Sequence, residues 1–129
     1  MAGDLIPSEV RDFLLRHIDS IAQLEALLLL RAQAEITWSA EMLAKRLYIS
    51  TQETAEILAR LCADRFLVAL GGESPQYQYH CPARAQADMV DRVADLYAHY
   101  LIPITHLIHS KPRTRVQAFA DAFKLRRGE

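Results

Sequence analysis

The fold of this chain is decided by residues 43–67, which read LAKRLYISTQETAEILARLCADRFL. Apolar side chains recur at helical spacing both before and after Ile49, while Ile49 itself falls between the two patterns. Ser50 and Glu53 have the spacing of a capping box, in which the serine oxygen accepts from the Glu53 amide and the glutamate reaches back to the Ser50 amide. The stretch therefore predicts two short helices joined by a tight turn, with a sharply defined start for the second.

The flanking sequence predicts the remaining elements. A proline at position 7 fits a first helical turn, and turn residues at positions 71, 72, 74 and 75 separate two short β-prone runs. The predicted order is a helix to Ile18, a helix over 21–34, a β-prone segment at 35–38, helices capped by Ser39 and Ser50, and a hairpin of strands 66–70 and 76–81.

This order resembles the winged helix-turn-helix superfamily over about residues 20–82, as in MarR- or PadR-type bacterial regulators. The resemblance implies a mainly α fold with a small β-hairpin wing, and a reading helix that begins after Ser50. Two positions depart from the pattern of the superfamily. Tyr48 and Arg65 stand where glycine is common, in the turn and at the end of the reading helix. We expect residues 1–82 to form the winged domain and residues 83–129 to form a long C-terminal helical arm.

The arm carries an apolar seam typical of helices that pack against another helix. Its members are spaced by alternating steps of four and three, and Pro103 should kink the helix. The resemblance implies homodimerisation through this arm, while the alternative is an arm folded back onto its own winged domain. The seam residues predicted to dimerise are Met89, Val93, Leu96, Tyr100 and Leu107. A last, basic helix is expected around residues 116–123.

If the chain binds double-stranded DNA, the reading helix supplies few suitable side chains. Thr51 and Gln52 lie in its first turn, and Arg60 follows two turns later. Residues 51–82 hold two basic and four acidic residues, whereas residues 111–127 hold six basic residues and one acid. Arg60 could reach a phosphate, and the other predicted phosphate contacts are outside the reading helix, at Lys45, Arg46, Arg126 and Arg127.

Glu56 and Ile57 favour a different partner. Both are expected on the outward face of the reading helix, where a glutamate repels phosphate and an isoleucine gains more from a protein surface. The sequence therefore supports two functions: a dimeric transcriptional regulator that binds DNA, and an interaction module that keeps the fold but binds another protein.

The overall composition limits the other classes of function. The chain has 129 residues, a net charge of −1 and 51% hydrophobic residues, which is ordinary for a single globular unit. We expect no signal peptide and no membrane span, and therefore a cytoplasmic protein. His106 and His109 lack further ligands for a metal, and no catalytic or phosphate-binding motif occurs. We expect neither an enzyme nor a cofactor.

Overall fold

The computed structural model of this chain describes residues 5–111, which form helices on either side of one β-hairpin. This is the mainly α architecture that the sequence predicts. The predicted basic helix around residue 116 lies outside the described residues, as do Arg126 and Arg127. The elements are α1 (Ser8–His17), α2 (Ile21–Ala32), α3 (Ala40–Leu47), α4 (Thr51–Ala63), β1 (Leu67–Leu70), β2 (Gln76–Tyr79), α5 (Arg84–His99) and α6 (Leu101–His109).

Serine caps set the starts of α2, α3 and α4, as predicted. The hydroxyl oxygens of Ser20, Ser39 and Ser50 each accept from the backbone amide three residues later, at 3.0–3.1 Å. Each such cap stabilises its helix by about 1 kcal/mol. The hydrogen bonds of residues 5–111 do not include the reciprocal bond from the Ser50 amide to Glu53, so only the serine half of the capping box forms.

The hairpin pairs β1 with β2 in antiparallel register, with Leu67 opposite Tyr79 and Leu70 opposite Gln76. The β-prone segment at 35–38 contributes a single bridging residue, because Trp38 exchanges two backbone hydrogen bonds of 2.8 Å with Tyr77. These bonds fix the base of the hairpin next to the start of α3.

The centre of the core is α2, which packs against α3, α4 and β2. Leu24, Leu27 and Leu30 are fully buried on it, and the fully buried Trp38 and Phe66 close the core beside the hairpin. On α4, Leu58 and Leu61 are fully buried, as the helical spacing of the apolar residues after Ile49 predicts.

The arm folds back and packs against α1 of its own chain. Val90 and Val93 of α5 and Ile104 of α6 are fully buried in the same apolar core as α2. The assignment of Val93 to a seam between two chains is wrong for this fold, because its own chain leaves no part of that side chain accessible. Met89, Leu96, Tyr100 and Leu107 keep part of their surface exposed, and their role in dimerisation stays a prediction.

The kink in the arm lies at Tyr100, three residues before Pro103. Tyr100 has φ −128° and ψ 52°, which ends α5 at His99 and lets α6 begin at Leu101. A proline ring crowds the carbonyl four residues earlier, here that of His99, so the distortion falls in the preceding turn. Pro103 itself lies in the first turn of α6, where an amide has no helical partner in any case.

One apolar core extends across the predicted boundary at residue 82, from Ile6 to Ile108. The division into residues 1–82 and 83–129 stays a prediction about folding units. Within residues 5–111, no helix is both long enough and apolar enough to cross a lipid bilayer.

Candidate nucleic-acid interface

The first turn of α4 is held by the side chains of Ser50 and Thr54. The Ser50 hydroxyl accepts from the Glu53 amide at 3.0 Å, and the buried Thr54 hydroxyl donates to the Ser50 carbonyl at 2.8 Å. These bonds fix both the starting point and the rotation of the helix. Thr51 and Gln52 are consequently exposed on the outer surface of its first turn, as predicted.

A left-handed residue follows each helix of the two-helix unit. Tyr48 follows α3 with φ 58°, and Arg65 follows α4 with φ 66°. In each case the next amide donates to the carbonyl five residues earlier, Ile49 to Ala44 at 3.2 Å and Phe66 to Leu61 at 3.0 Å. This is the pattern of a Schellman helix end, which usually has glycine at the left-handed position. The backbone is therefore left-handed at both positions that depart from the superfamily pattern, Tyr48 and Arg65, although neither residue is glycine.

Lys45 and Arg46 lie exposed on α3, beside the start of α4. The Arg46 guanidinium carbon is 5.6 Å from the centroid of the Trp38 ring, within range of a cation–π contact. Neither cation forms an ion pair with another residue of the described range 5–111. Both charges are therefore available to phosphate from the folded protein.

Arg60 is in a different position, because its guanidinium already has two acidic partners. Its Nη1 donates to Asp19 at 2.9 Å, and its Nε donates to Asp64 at 3.4 Å. Asp64 also meets Nδ1 of His17 at 3.2 Å, and Asp19 accepts from Lys111 Nζ at 2.6 Å. Arg60 must leave these carboxylates before it can neutralise a phosphate.

Sequence reasoning missed this group of charges, which we call the Asp19 network: His17, Asp19, Arg60, Asp64 and Lys111. The network joins the ends of α1 and α4 to the residue that follows α6. Only the Arg60–Asp64 pair has a local i, i+4 spacing. Asp19 is 41 residues from Arg60 and 92 from Lys111, so no local spacing in the sequence could have indicated the rest of the network.

The expected exposure of Ile57 is wrong. Ile57 is only 8% exposed and belongs to the apolar core, whereas Glu56 lies exposed beside it. Thr54, Ile57, Leu58 and Leu61 follow the i, i+3, i+4, i+7 spacing of one buried helix face. The two residues assigned to a protein partner therefore face in different directions.

The hairpin tip adds no positive charge. Residues 71–75 are exposed, and Glu73 is their only charged side chain. Gly71 has φ +85°, so the turn that follows β1 requires a left-handed residue. The tip can approach a groove sterically, but it cannot neutralise a phosphate there.

The cysteines and histidines form no reactive group in the described part of the chain. Burial raises the pKa of the Cys62 and Cys81 thiols, which disfavours the nucleophilic thiolate. Burial, together with the nearby Cys81, raises the pKa of Tyr79 to about 12. Across residues 5–111 no three His, Cys, Asp or Glu side chains lie close enough to hold a metal ion.

Comparison with solved structures identifies three proteins with a similar arrangement. A transcriptional regulator from Thermotoga maritima has 14% sequence identity and a TM-score of 0.51, with 94% of this chain and 82% of that chain covered. A mutant MarR from E. coli has 14% identity and a TM-score of 0.53, covering 93% and 85%. A protein from Mycobacterium tuberculosis has 17% identity and a TM-score of 0.50, covering 95% and 84%.

No protein-family model matches the chain, and no curated protein sequence matches it. The similarity is therefore one of fold, and it extends over nearly the whole chain. The sequence identity is too low to transfer the role of any residue from these proteins to this chain. The fold of this chain is the winged helix-turn-helix, in the arrangement found in MarR-type regulators.

Proposed function

We propose that this chain is a transcriptional regulator that binds double-stranded DNA with α4. The observation that carries the proposal is the start of α4, where Ser50 caps a helix whose first turn exposes Thr51 and Gln52. In this class of fold the N-terminal residues of the second helix contact base edges in the major groove. Glutamine pairs with adenine through two hydrogen bonds, which gives Gln52 the role of the base-reading residue.

Phosphate contacts in this proposal come mainly from outside α4. Lys45 and Arg46 extend from the neighbouring helix α3 without an ionic partner among the described residues, and Arg126 and Arg127 add the charge of the C-terminal segment. Each neutralised phosphate releases counterions and steepens the dependence of affinity on salt. With few free cations on and around α4, we expect binding that weakens strongly between low and physiological ionic strength.

A homodimer is part of the same proposal. On α6, Leu101 and Ile102 are 52% and 67% exposed, next to the half-buried Tyr100. Exposed large apolar side chains clustered on one element are typical of an interaction surface. Two copies joined through this part of the arm would present two α4 helices to successive half-sites of DNA.

The alternative is a protein-binding role for α4, and it is the weaker proposal. Its apolar anchor was Ile57, which is buried in the core of its own chain. The remaining support for protein binding is the shortage of free positive charge on this surface. Glu56 is exposed on α4, Glu73 is exposed on the hairpin tip, and Arg60 is paired with acids. These features weaken phosphate binding without supplying a surface for another protein.

The experiment that tests the proposal is fluorescence anisotropy with labelled duplexes of random and defined sequence over a salt series. Lys45→Ala should lower affinity equally for all duplexes and reduce the salt slope by about one phosphate contact per protomer. Arg126→Ala combined with Arg127→Ala should reduce the salt slope by about two phosphate contacts per protomer. Gln52→Ala should instead relax base preference at one position of a selected site.

Two outcomes would count against DNA binding. Wild-type protein that ignores every duplex at low salt would end the proposal. Glu56→Gln serves as the matched variant for the alternative, because it keeps the shape of the side chain and removes only its charge. If α4 faces DNA, Glu56→Gln should raise affinity for every duplex, since a charge that repels phosphate is removed. Unchanged affinity in this variant would count against α4 as the DNA-binding element.

A further inference from the structure

Tyr48 is the most exposed large hydrophobic side chain among the described residues, at 93%. It lies in the turn between α3 and α4, in the left-handed conformation with φ 58° and ψ 41°. Glycine adopts this conformation freely, whereas a side chain with a Cβ is crowded by the following carbonyl. A ring in solvent makes few contacts that offset this strain, so folding alone gives no reason for a tyrosine here. Strained residues of this kind often mark sites that bind another molecule.

The surroundings of Tyr48 indicate what that molecule is. Tyr48 forms one wall of a shallow cleft of about 600 Å³ between α3 and the start of α4. Lys45 and Thr51 line the same cleft, so the ring shares it with a cation that has no ion pair within residues 5–111 and with the first turn of the reading helix. Glu41 is the one acidic side chain in the lining. The complete lining is Glu41, Ala44, Lys45, Tyr48, Ile49, Ser50 and Thr51.

The position of the cleft matches the path of a DNA strand. In helix-turn-helix complexes the first helix crosses the sugar–phosphate backbone and the second enters the major groove with its N-terminal end. The turn between them therefore runs beside phosphates, and a side chain that extends from it meets the backbone before any base. Tyrosine hydroxyls are among the donors that contact phosphate oxygens in such complexes.

We propose that Tyr48 is a phosphate-contacting residue, whose phenol O–H donates a hydrogen bond to a backbone phosphate adjacent to the one that Lys45 neutralises. This inference rests on the proposed function, since it requires α4 to face duplex DNA. A neutral donor differs from a cation in one measurable way. It adds a hydrogen bond and displaces no counterion, so it contributes to affinity at every salt concentration without changing the salt slope.

The test compares Tyr48→Phe with wild type on duplexes of different sequence by fluorescence anisotropy. Removing one hydroxyl should weaken binding by about 10- to 150-fold, the size expected for one hydrogen bond to a charged acceptor, and equally on every duplex. The salt slope should stay unchanged, whereas Lys45→Ala should reduce it by about one contact. Tyr97→Phe is the matched control. It removes the same hydroxyl from a residue outside the cleft, where Tyr97 donates to Glu25 at 3.3 Å.

Tyr48→Gly separates this role from a structural one. Glycine relieves the left-handed strain, so the thermal midpoint should stay at the wild-type value or rise, while DNA affinity falls at least as far as in Tyr48→Phe. If wild type binds and Tyr48→Phe binds equally well, or loses affinity on one sequence only, the inference is overturned and the proposed function stands. If wild type binds no duplex, both fall together.

Discussion

Replacing Asp19 with asparagine tests whether the Asp19 network competes with DNA for Arg60. Asp19 accepts from Arg60 at 2.9 Å and from Lys111 at 2.6 Å, so one substitution removes the charge that holds both cations. Partly exposed ion pairs contribute roughly 0–1 kcal/mol each. Lys111 is only 18% exposed but keeps its bond to the Ile18 carbonyl at 3.0 Å. We therefore expect Asp19→Asn to lower the free energy of unfolding by about 1 kcal/mol in urea titrations.

The same substitution should strengthen DNA binding. Arg60 must give up Asp19 to reach a phosphate, and an interaction of about 1 kcal/mol corresponds to about a fivefold change in affinity. We expect Asp19→Asn to bind all duplexes about fivefold more tightly, while it is less stable as a folded protein. Asp88→Asn is the matched control, because it removes the same charge from an exposed residue that has no ion pair within residues 5–111.

A double-mutant cycle gives the decisive result. In a chain that already carries Arg60→Ala, the substitution Asp19→Asn should no longer raise affinity, because the released side chain is absent. If the gain persists in that background, or if Asp88→Asn produces the same gain, the effect is one of net charge. The reasoning that Arg60 is held back from phosphate would then be refuted.

Three further variants test the core, the arm and the hairpin. Ile57→Ser should lower the free energy of unfolding by about 3 kcal/mol, as for a buried branched side chain; a loss below about 1 kcal/mol would contradict its burial. Wild-type protein should sediment as a dimer, and Leu101→Asp with Ile102→Asp as a folded monomer; a monomeric wild type would exclude the arm interface. Because burial raises the pKa of Tyr79 from 10.0 to about 12, the folded state holds that proton more tightly, and stability is lost as pH rises through this window. Tyr79→Phe should flatten this alkaline loss, and superimposable pH curves would refute the assignment.

Local signals account for the parts of the fold that the sequence predicts well. A serine that caps a helix acts over three residues, so Ser20, Ser39 and Ser50 define helix starts without knowledge of the tertiary structure. These elements are predictable because their hydrogen bonds join residues close together in sequence.

The errors arise where the outcome depends on packing between distant elements. Val93 satisfies the spacing of a seam, but spacing does not say whether the partner helix belongs to the same chain or to another. The expected exposure of Ile57 is wrong for a different reason. It follows from the outward positions of a typical reading helix, whereas the helical periodicity of Ile57 with Leu61 places it on the buried face. The pairing of Arg60 with Asp19 depends on where α1 ends relative to α4, and no short pattern contains that information.

The packing of α1 against α5 and α6 has a consequence for biosynthesis. The first helix leaves the ribosome with apolar residues such as Phe13 and Leu14, but the helices that cover them are complete only about 90 residues later. At about 5–20 residues per second, this leaves the apolar face of α1 without its final cover for roughly 5–20 seconds. Docking of the arm must therefore be a late event in folding.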